Sequence, residues 1–149
     1  MADSDARHVR RPLHKFPVRR QIQTRFADND IFGHVNNAVY YNYFDTAINL
    51  WVESCVGRPT YEMDALGVVA ESRCTFHGEV TYPQKLEVGL GISRLGNSSI
   101  TYSLGLFHDL DPLIPKASAQ WTHVYIDPTT RTAVPIPMRL REASESIQI

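Results

Sequence analysis

Ala38-Val-Tyr-Tyr-Asn-Tyr-Phe-Asp-Thr-Ala-Ile-Asn-Leu-Trp-Val-Glu-Ser-Cys-Val56 is the stretch that decides the fold. Tyr40, Tyr43, Phe44, Ala47, Ile48, Trp51 and Cys55 recur at spacings of three and four, which sets them on one broad face of an α-helix. Val39, Leu50 and Val52 add apolar bulk on the flanks, so the helix is expected to be covered on most sides. Gly57 suits the left-handed residue that closes a helix, and Pro59 prevents continuation. Upstream, Gly33 and Asn36-Asn37 mark a turn, and either asparagine can cap the helix start. A strand is expected before that turn, across Val18–Phe26.

Beyond Gly67 the apolar period becomes two. Alternation runs through Val68–His77, then through Leu86, Val88, Leu90 and Ile92, then through Ile100, Tyr102, Leu104 and Leu106. A last run covers Lys116–Asp127. Turn signals separate these runs at Tyr82-Pro83, Gly96-Asn97, Asp109–Pro115 and Asp127-Pro128. The order is one strand, one long helix and four strands at hairpin spacing. Consecutive strands joined by short turns predict an antiparallel sheet. A single long helix on one face of it makes the class α+β.

The 149 residues fit one domain, with enough chain to bury a core without metals or disulfides. At 43% hydrophobic and 10% aromatic, the composition argues against disorder, and no apolar run is long enough to span a membrane. Net charge is -1, unevenly spread: residues 1–25 hold seven basic residues against Asp3 and Asp5. Residues 1–17, punctuated by Pro12 and Pro17, read as a flexible basic arm, with one domain over 18–149. A solvated tail explains that arm better than nucleic-acid binding does, so no nucleic-acid partner is expected. Cys55 and Cys74 form no CxxC pair, which fits reduced thiols in a cytoplasmic protein. His77, His108 and His123 lack metal-ligand spacing, and no metal site is expected.

Asp28-Asn-Asp-Ile-Phe-Gly-His-Val-Asn-Asn37 carries the chemistry. It sets two carboxylates, an imidazole and several amides directly before a helix N-terminus. Free backbone N–H groups there favour negative charge, so they suit the oxyanion formed when an acyl carbonyl is attacked. A neighbouring carboxylate can activate water or attack directly. Asp, Asn and Gly are equally what a tight turn and a helix cap require, and on composition alone that plainer reading weighs more.

The string Arg25-Phe-Ala-Asp-Asn-Asp-Ile-Phe-Gly-His-Val-Asn-Asn37, followed by Tyr40 and Tyr43, resembles the signature of the 4-hydroxybenzoyl-CoA thioesterase family. Weaker similarity continues through Leu95–Ser99 to Pro135-Ile136-Pro137. The resemblance implies a hotdog fold, an antiparallel β-sheet wrapped around one long central α-helix. It implies hydrolysis of an acyl-CoA substrate, with coenzyme A present only as part of that substrate and no separate cofactor. Asp30 would be the catalytic carboxylate, the Asn37 N–H would polarise the thioester carbonyl, and His34 would lie beside the acyl group. Gly33, Val35, Asn36 and Tyr40 would complete the substrate site, with Arg94, Ser98 and Ser99 offering a modest phosphate site for coenzyme A. A plain β-turn explains Arg94–Ser99 about as well. Asp28 is assigned to structure, through Arg25. A homodimer joined edge to edge, or a tetramer, is implied.

Two departures bear on function. The related plant acyl-carrier-protein thioesterases carry an asparagine two residues before the histidine, where Phe32 stands here. Hydratases on the same fold carry Asp-x-Asn-Pro-x-His, whereas Asp30 reaches His34 without Asn-Pro and one residue sooner. The alternatives are therefore an acyl-carrier-protein thioesterase, a hydratase-like protein, or a non-hydrolytic acyl-CoA-binding protein. Phe32, Tyr40, Tyr43 and Phe44 fit an acyl pocket and an ordinary helix core equally well.

Overall fold

The computed structural model describes residues 10–149. Its elements are β1 (Val18–Gln23), α1 (Asn37–Val56), β2 (Leu66–Phe76), β3 (Lys85–Leu95), β4 (Ser99–His108), β5 (Ala117–Ile126) and α2 (Met138–Glu145). The five strands form one antiparallel sheet in the order β1-β3-β4-β5-β2, with α1 across one face. This is the hotdog arrangement.

The expectation that consecutive strands pair holds for β3-β4 and β4-β5 but not for β2 and β3. Instead β2 pairs with β5 at one edge, and β1 pairs with β3 at the other. The reason lies in the link 77–84, which serves other elements rather than closing a hairpin. His77 and Gly78 donate their N–H groups to the Lys116 carbonyl, at 2.8 and 3.0 Å. The Val35 N–H donates to the Val80 carbonyl at 2.9 Å. The crossing thus ties β2 to the turn that precedes α1.

The period of three and four becomes the buried face of α1: Tyr40, Tyr43, Phe44, Ala47, Ile48, Trp51, Val52 and Val56. Asn36 caps the helix by accepting the Ala38 N–H at 2.9 Å. Gly57, at φ 75°, ends it in the left-handed region and returns its N–H to the Glu53 carbonyl. Coverage is narrower than the flanking apolar residues suggested. Leu50 is 43% exposed, and Cys55 is only half-buried.

Opposite the helix, register aligns the apolar positions of the sheet, as in Leu90↔Leu104↔Ala119. Leu86, Val88, Leu90, Ile92, Ile100 and Leu106 are fully buried there. Each such side chain contributes about 1.5–3 kcal/mol over an exposed one. Trp51 and Trp121 belong to this core. The short helix α2 had no clear periodic signal; it buries Leu140 and sends Arg139 Nη1 to the Val56 carbonyl at the end of α1. No helix among the described residues is long and apolar enough to cross a membrane.

A smaller cluster covers the sheet's other face. Phe16 meets the Phe107 ring edge-on at 6.1 Å, beside Leu13, whose N–H donates to the Pro112 carbonyl. Residues 1–9 of the expected arm lie outside the described residues, while residues 10–17 carry this buried Leu13 and Phe16. Gly89 and Gly105 face each other beneath the Phe16 ring, and a Cβ at Gly89 would fall 2.4 Å from Phe16 Cδ2. Gly89→Ala is therefore expected to push the ring away and cost about 1–3 kcal/mol. Urea unfolding reads this as a lower midpoint; an unchanged midpoint would show that Phe16 contributes little.

Candidate active site

The segment between β1 and α1 is a chain of small, locally satisfied turns. Arg25–Asp28 forms a reciprocal cap: the Arg25 N–H donates to Asp28 Oδ2 at 2.8 Å, and the Asp28 N–H to the Arg25 carbonyl at 3.0 Å. Asp28 is buried, and its carboxylate also accepts from Tyr43 Oη at 2.7 Å and from the Arg25 guanidinium at 2.9 Å. Burial alone would raise its pKa. The hydrogen bonds from Tyr43 and from the Arg25 backbone and side chain, with the Arg25 charge, outweigh burial and hold it below the usual aspartate value. Asp28 thus has the structural role the sequence reading gave it. It does not share an extended strand with Asp30, because Phe26–Asp28 is a 3-10 turn that directs it inward.

Asp30 opens the next turn. Its N–H donates to the His34 carbonyl at 2.9 Å, and its own carbonyl accepts from Gly33 at 3.1 Å. Gly33 takes φ 84°, which a side chain would resist. The Asp30 carboxylate is held at both oxygens: Oδ1 accepts the Phe32 N–H at 2.9 Å, and Oδ2 faces Asn36 Nδ2 at 3.4 Å. Asn36 therefore caps the helix through its oxygen and steadies Asp30 through its nitrogen. Asn29 braces the same loop from behind, bonding Thr81 Oγ1 and the Tyr82 N–H.

Asp30, Phe32, His34 and Val35 of this segment line a cavity of about 320 Å³. Asn37 and Tyr40 from the start of α1, with Phe76, Gly78 and Glu79, complete its lining. Asn37 is the first residue of α1, and among the described residues its N–H enters no hydrogen bond. The cavity thus combines a fixed carboxylate with an available helix N-terminal donor. Such a donor stabilises oxygen as it gains charge. Tyr40 packs edge-on against Phe76 at 5.0 Å, and burial raises its phenol pKa.

Asp30, Gly33, His34, Val35, Asn36, Asn37 and Tyr40 therefore gather in one place. Arg94, Ser98 and Ser99 do not join them within one chain. They sit at the β3–β4 turn, whereas Asp30 lies near the start of β3, a strand length of roughly 30 Å away. Of the four aromatic candidates, Phe32 and Tyr40 line the cavity, Tyr43 binds Asp28 and Phe44 is fully buried core. Sequence reasoning missed Phe76 and Glu79. Only the crossing between β2 and β3 brings them to the cavity, and nothing in their local sequence announces it. A larger cavity of about 450 Å³ lies between β1 and α1, lined by Gln21, Gln23, Asn42 and Thr46, without Asp30 or His34.

Comparison with known proteins gives a consistent result. The Thioesterase superfamily matches residues 32–114, a span that includes His34, Asn36, Asn37 and Glu79 and starts just after Asp30. The PA5185 protein from Pseudomonas aeruginosa superposes with a TM-score of 0.89 at 37% identity, over 93% of this chain and 96% of that one. Slr0204, a 1,4-dihydroxy-2-naphthoyl-CoA thioesterase from Synechocystis, shares the fold at a TM-score of 0.78 and 19% identity, over 87% and 96% of the two chains. The YsmA protein of Bacillus subtilis is 26% identical over 86 residues, which span 58% of this chain and 58% of that protein.

Proposed function

Because the chain belongs to the Thioesterase superfamily, we propose that it hydrolyses an acyl-CoA thioester to the free acid and coenzyme A. The observation that carries this reading is the placement of the Asp30 carboxylate and the unclaimed Asn37 N–H on one cavity. The Asn37 N–H would hold the thioester oxygen as it becomes an oxyanion. Asp30 would then take a proton from attacking water, or attack the carbonyl itself. Its carboxylate keeps lone pairs for either task, because among the described residues it accepts two hydrogen bonds. No cofactor is needed beyond the coenzyme A of the substrate. Half-buried, unpaired Cys55 and Cys74 suit a reducing, cytoplasmic setting.

A homodimer fits this reading. Strand β2 lies at a sheet edge, with Val69 and Phe76 exposed, and an open edge invites a second copy. Antiparallel pairing of two β2 strands would carry the partner's β3–β4 turn toward the end of the sheet where Asp30 lies. That would bring a second set of Arg94, Ser98 and Ser99 to the coenzyme, which one chain does not do. Light scattering is expected to give a dimer or a tetramer; a monomer would remove this part of the reading.

The test of activity is thiol release from a panel of short-, medium- and long-chain acyl and aryl CoA substrates, followed with a thiol reagent. Turnover of at least one is expected. Preference for the same acyl group on acyl carrier protein would reassign the carrier. Hydration of a crotonyl-type substrate without thiol release, or tight binding without turnover, would overturn hydrolysis.

A further inference from the structure

Glu79 stands in the cavity without a role in the scheme above, and its carboxylate meets His34 Nε2 at 2.9 Å. We infer that His34 is the acid that protonates the departing thiolate and that Glu79 is its positioning residue; this rests on the hydrolytic reading.

The pair is built on a rigid base. The residues that follow its two members, Val35 and Val80, are joined by a backbone hydrogen bond of 2.9 Å. The His34 carbonyl is fixed by the Asp30 N–H, and Gly78, next to Glu79, is fixed by the Lys116 carbonyl. The loop is therefore already secured by backbone bonds. A half-exposed imidazole and an exposed carboxylate add little to stability. A structural role does not account for the pair, whereas its place on the cavity that holds Asp30 and the Asn37 N–H does.

The contact also sets the chemistry of the ring. Nε2–H donates to Glu79, and Nδ1 has no hydrogen bond among the described residues. For His34 to act as an acid both ring nitrogens must carry protons: Nε2–H stays on Glu79, and Nδ1–H is the one it gives away. Hydrolysis needs one such proton. Water attacks the carbonyl carbon while Asp30 takes a proton from it, and the new C–O bond forms. When the tetrahedral intermediate collapses, the C–S bond breaks and its electron pair leaves on sulfur. The Nδ1 proton then neutralises that thiolate. Asp30 afterwards releases its proton to solvent, and His34 regains one. The carboxylic acid product then ionises, so the sum is thioester plus water giving carboxylate, thiol and one proton. Without an acid, an alkyl thiolate such as that of coenzyme A is a poor leaving group, whereas an aryl thiolate departs readily.

That difference supplies the test. Wild type, Glu79→Gln, Glu79→Asp and His34→Gln are assayed with the coenzyme A thioester and the S-phenyl thioester of one acyl group. Glu79→Gln and His34→Gln are expected to lower kcat for the coenzyme A ester by about tenfold or more. For the S-phenyl ester the loss is expected to stay within about twofold. Glu79→Asp, which keeps the charge, is expected to recover part of the coenzyme A activity. Equal losses on both esters, or no loss on either, would overturn the assignment while leaving hydrolysis itself intact. No turnover of either ester by wild type would remove the hydrolytic reading, and the dyad with it.

Discussion

Replacing Asp30 by Asn is expected to lower turnover of the best acyl-CoA substrate by about 10²–10⁴-fold. The amide can neither take a proton from water nor attack a carbonyl carbon. The fold is expected to survive, because the carboxylate's structural contacts are few and are largely kept. An Asn oxygen can still accept the Phe32 N–H that Asp30 Oδ1 accepts at 2.9 Å. The turn itself is closed by main-chain bonds, from Asp30 to His34 and from Gly33 to Asp30, which the substitution does not touch. Only the longer contact with Asn36 Nδ2, at 3.4 Å, is lost. Steady-state thiol release, together with a thermal melt, separates the two effects. A melting temperature near the wild-type value with activity down a hundredfold is the expected pair of results. Activity within about threefold of wild type would remove Asp30 from the chemistry and leave the helix N-terminus without its base.

How much of this was legible in the sequence depends on whether a residue acts through its neighbours in the chain or across the fold. The α1 face, its Gly57 stop and the five strands follow from periodicity and turn chemistry, and the structure reproduces them. The Asn36 cap and the Asp30–Gly33 turn are local in the same sense. Strand order was not local. The link 77–84 reads as a hairpin connection, yet its N–H and C=O groups bond to Lys116 and Val35. With the order misread, Glu79 and Phe76 could not be placed beside His34 and Tyr40. The buried partner of Asp28 was hidden for a related reason. Tyr43 looked like one more apolar position on the helix face, and only packing shows that its hydroxyl ends on a carboxylate. The Arg94–Ser99 turn was readable as a turn, but its distance from Asp30 depends on strand direction.

The Asp28–Tyr43–Arg25 contact leads to the largest expected loss of stability. Asp28 has no exposed side-chain surface, and its two oxygens collect donors from the Arg25 main chain, the Arg25 guanidinium and the Tyr43 hydroxyl. Asp28→Asn keeps the size but turns one acceptor into a donor, so at least one buried donor is left facing another. The expected cost is about 2–3 kcal/mol, most of it from the unsatisfied Tyr43 and main-chain groups. The guanidinium is 71% exposed and can turn to water, so the ion pair itself adds little. Tyr43→Phe removes a single donor and is expected to cost about 1 kcal/mol. Because the folded-state pKa of Asp28 lies below its unfolded value, this stabilisation is fully present above about pH 5, where the unfolded carboxyl is almost wholly ionised. It fades as pH falls through the lower folded-state value. Urea midpoints of wild type and Asp28→Asn are therefore expected to differ most near neutrality and to converge in acid. The consequence reaches the cavity as well: the Asp28 carbonyl accepts the Asn36 N–H at 2.9 Å, and Asn36 faces Asp30. Loosening this anchor is expected to lower kcat several-fold even where the protein remains folded. Equal midpoints at pH 7, or a difference that stays constant into acid, would show that the buried carboxylate is not what secures the loop.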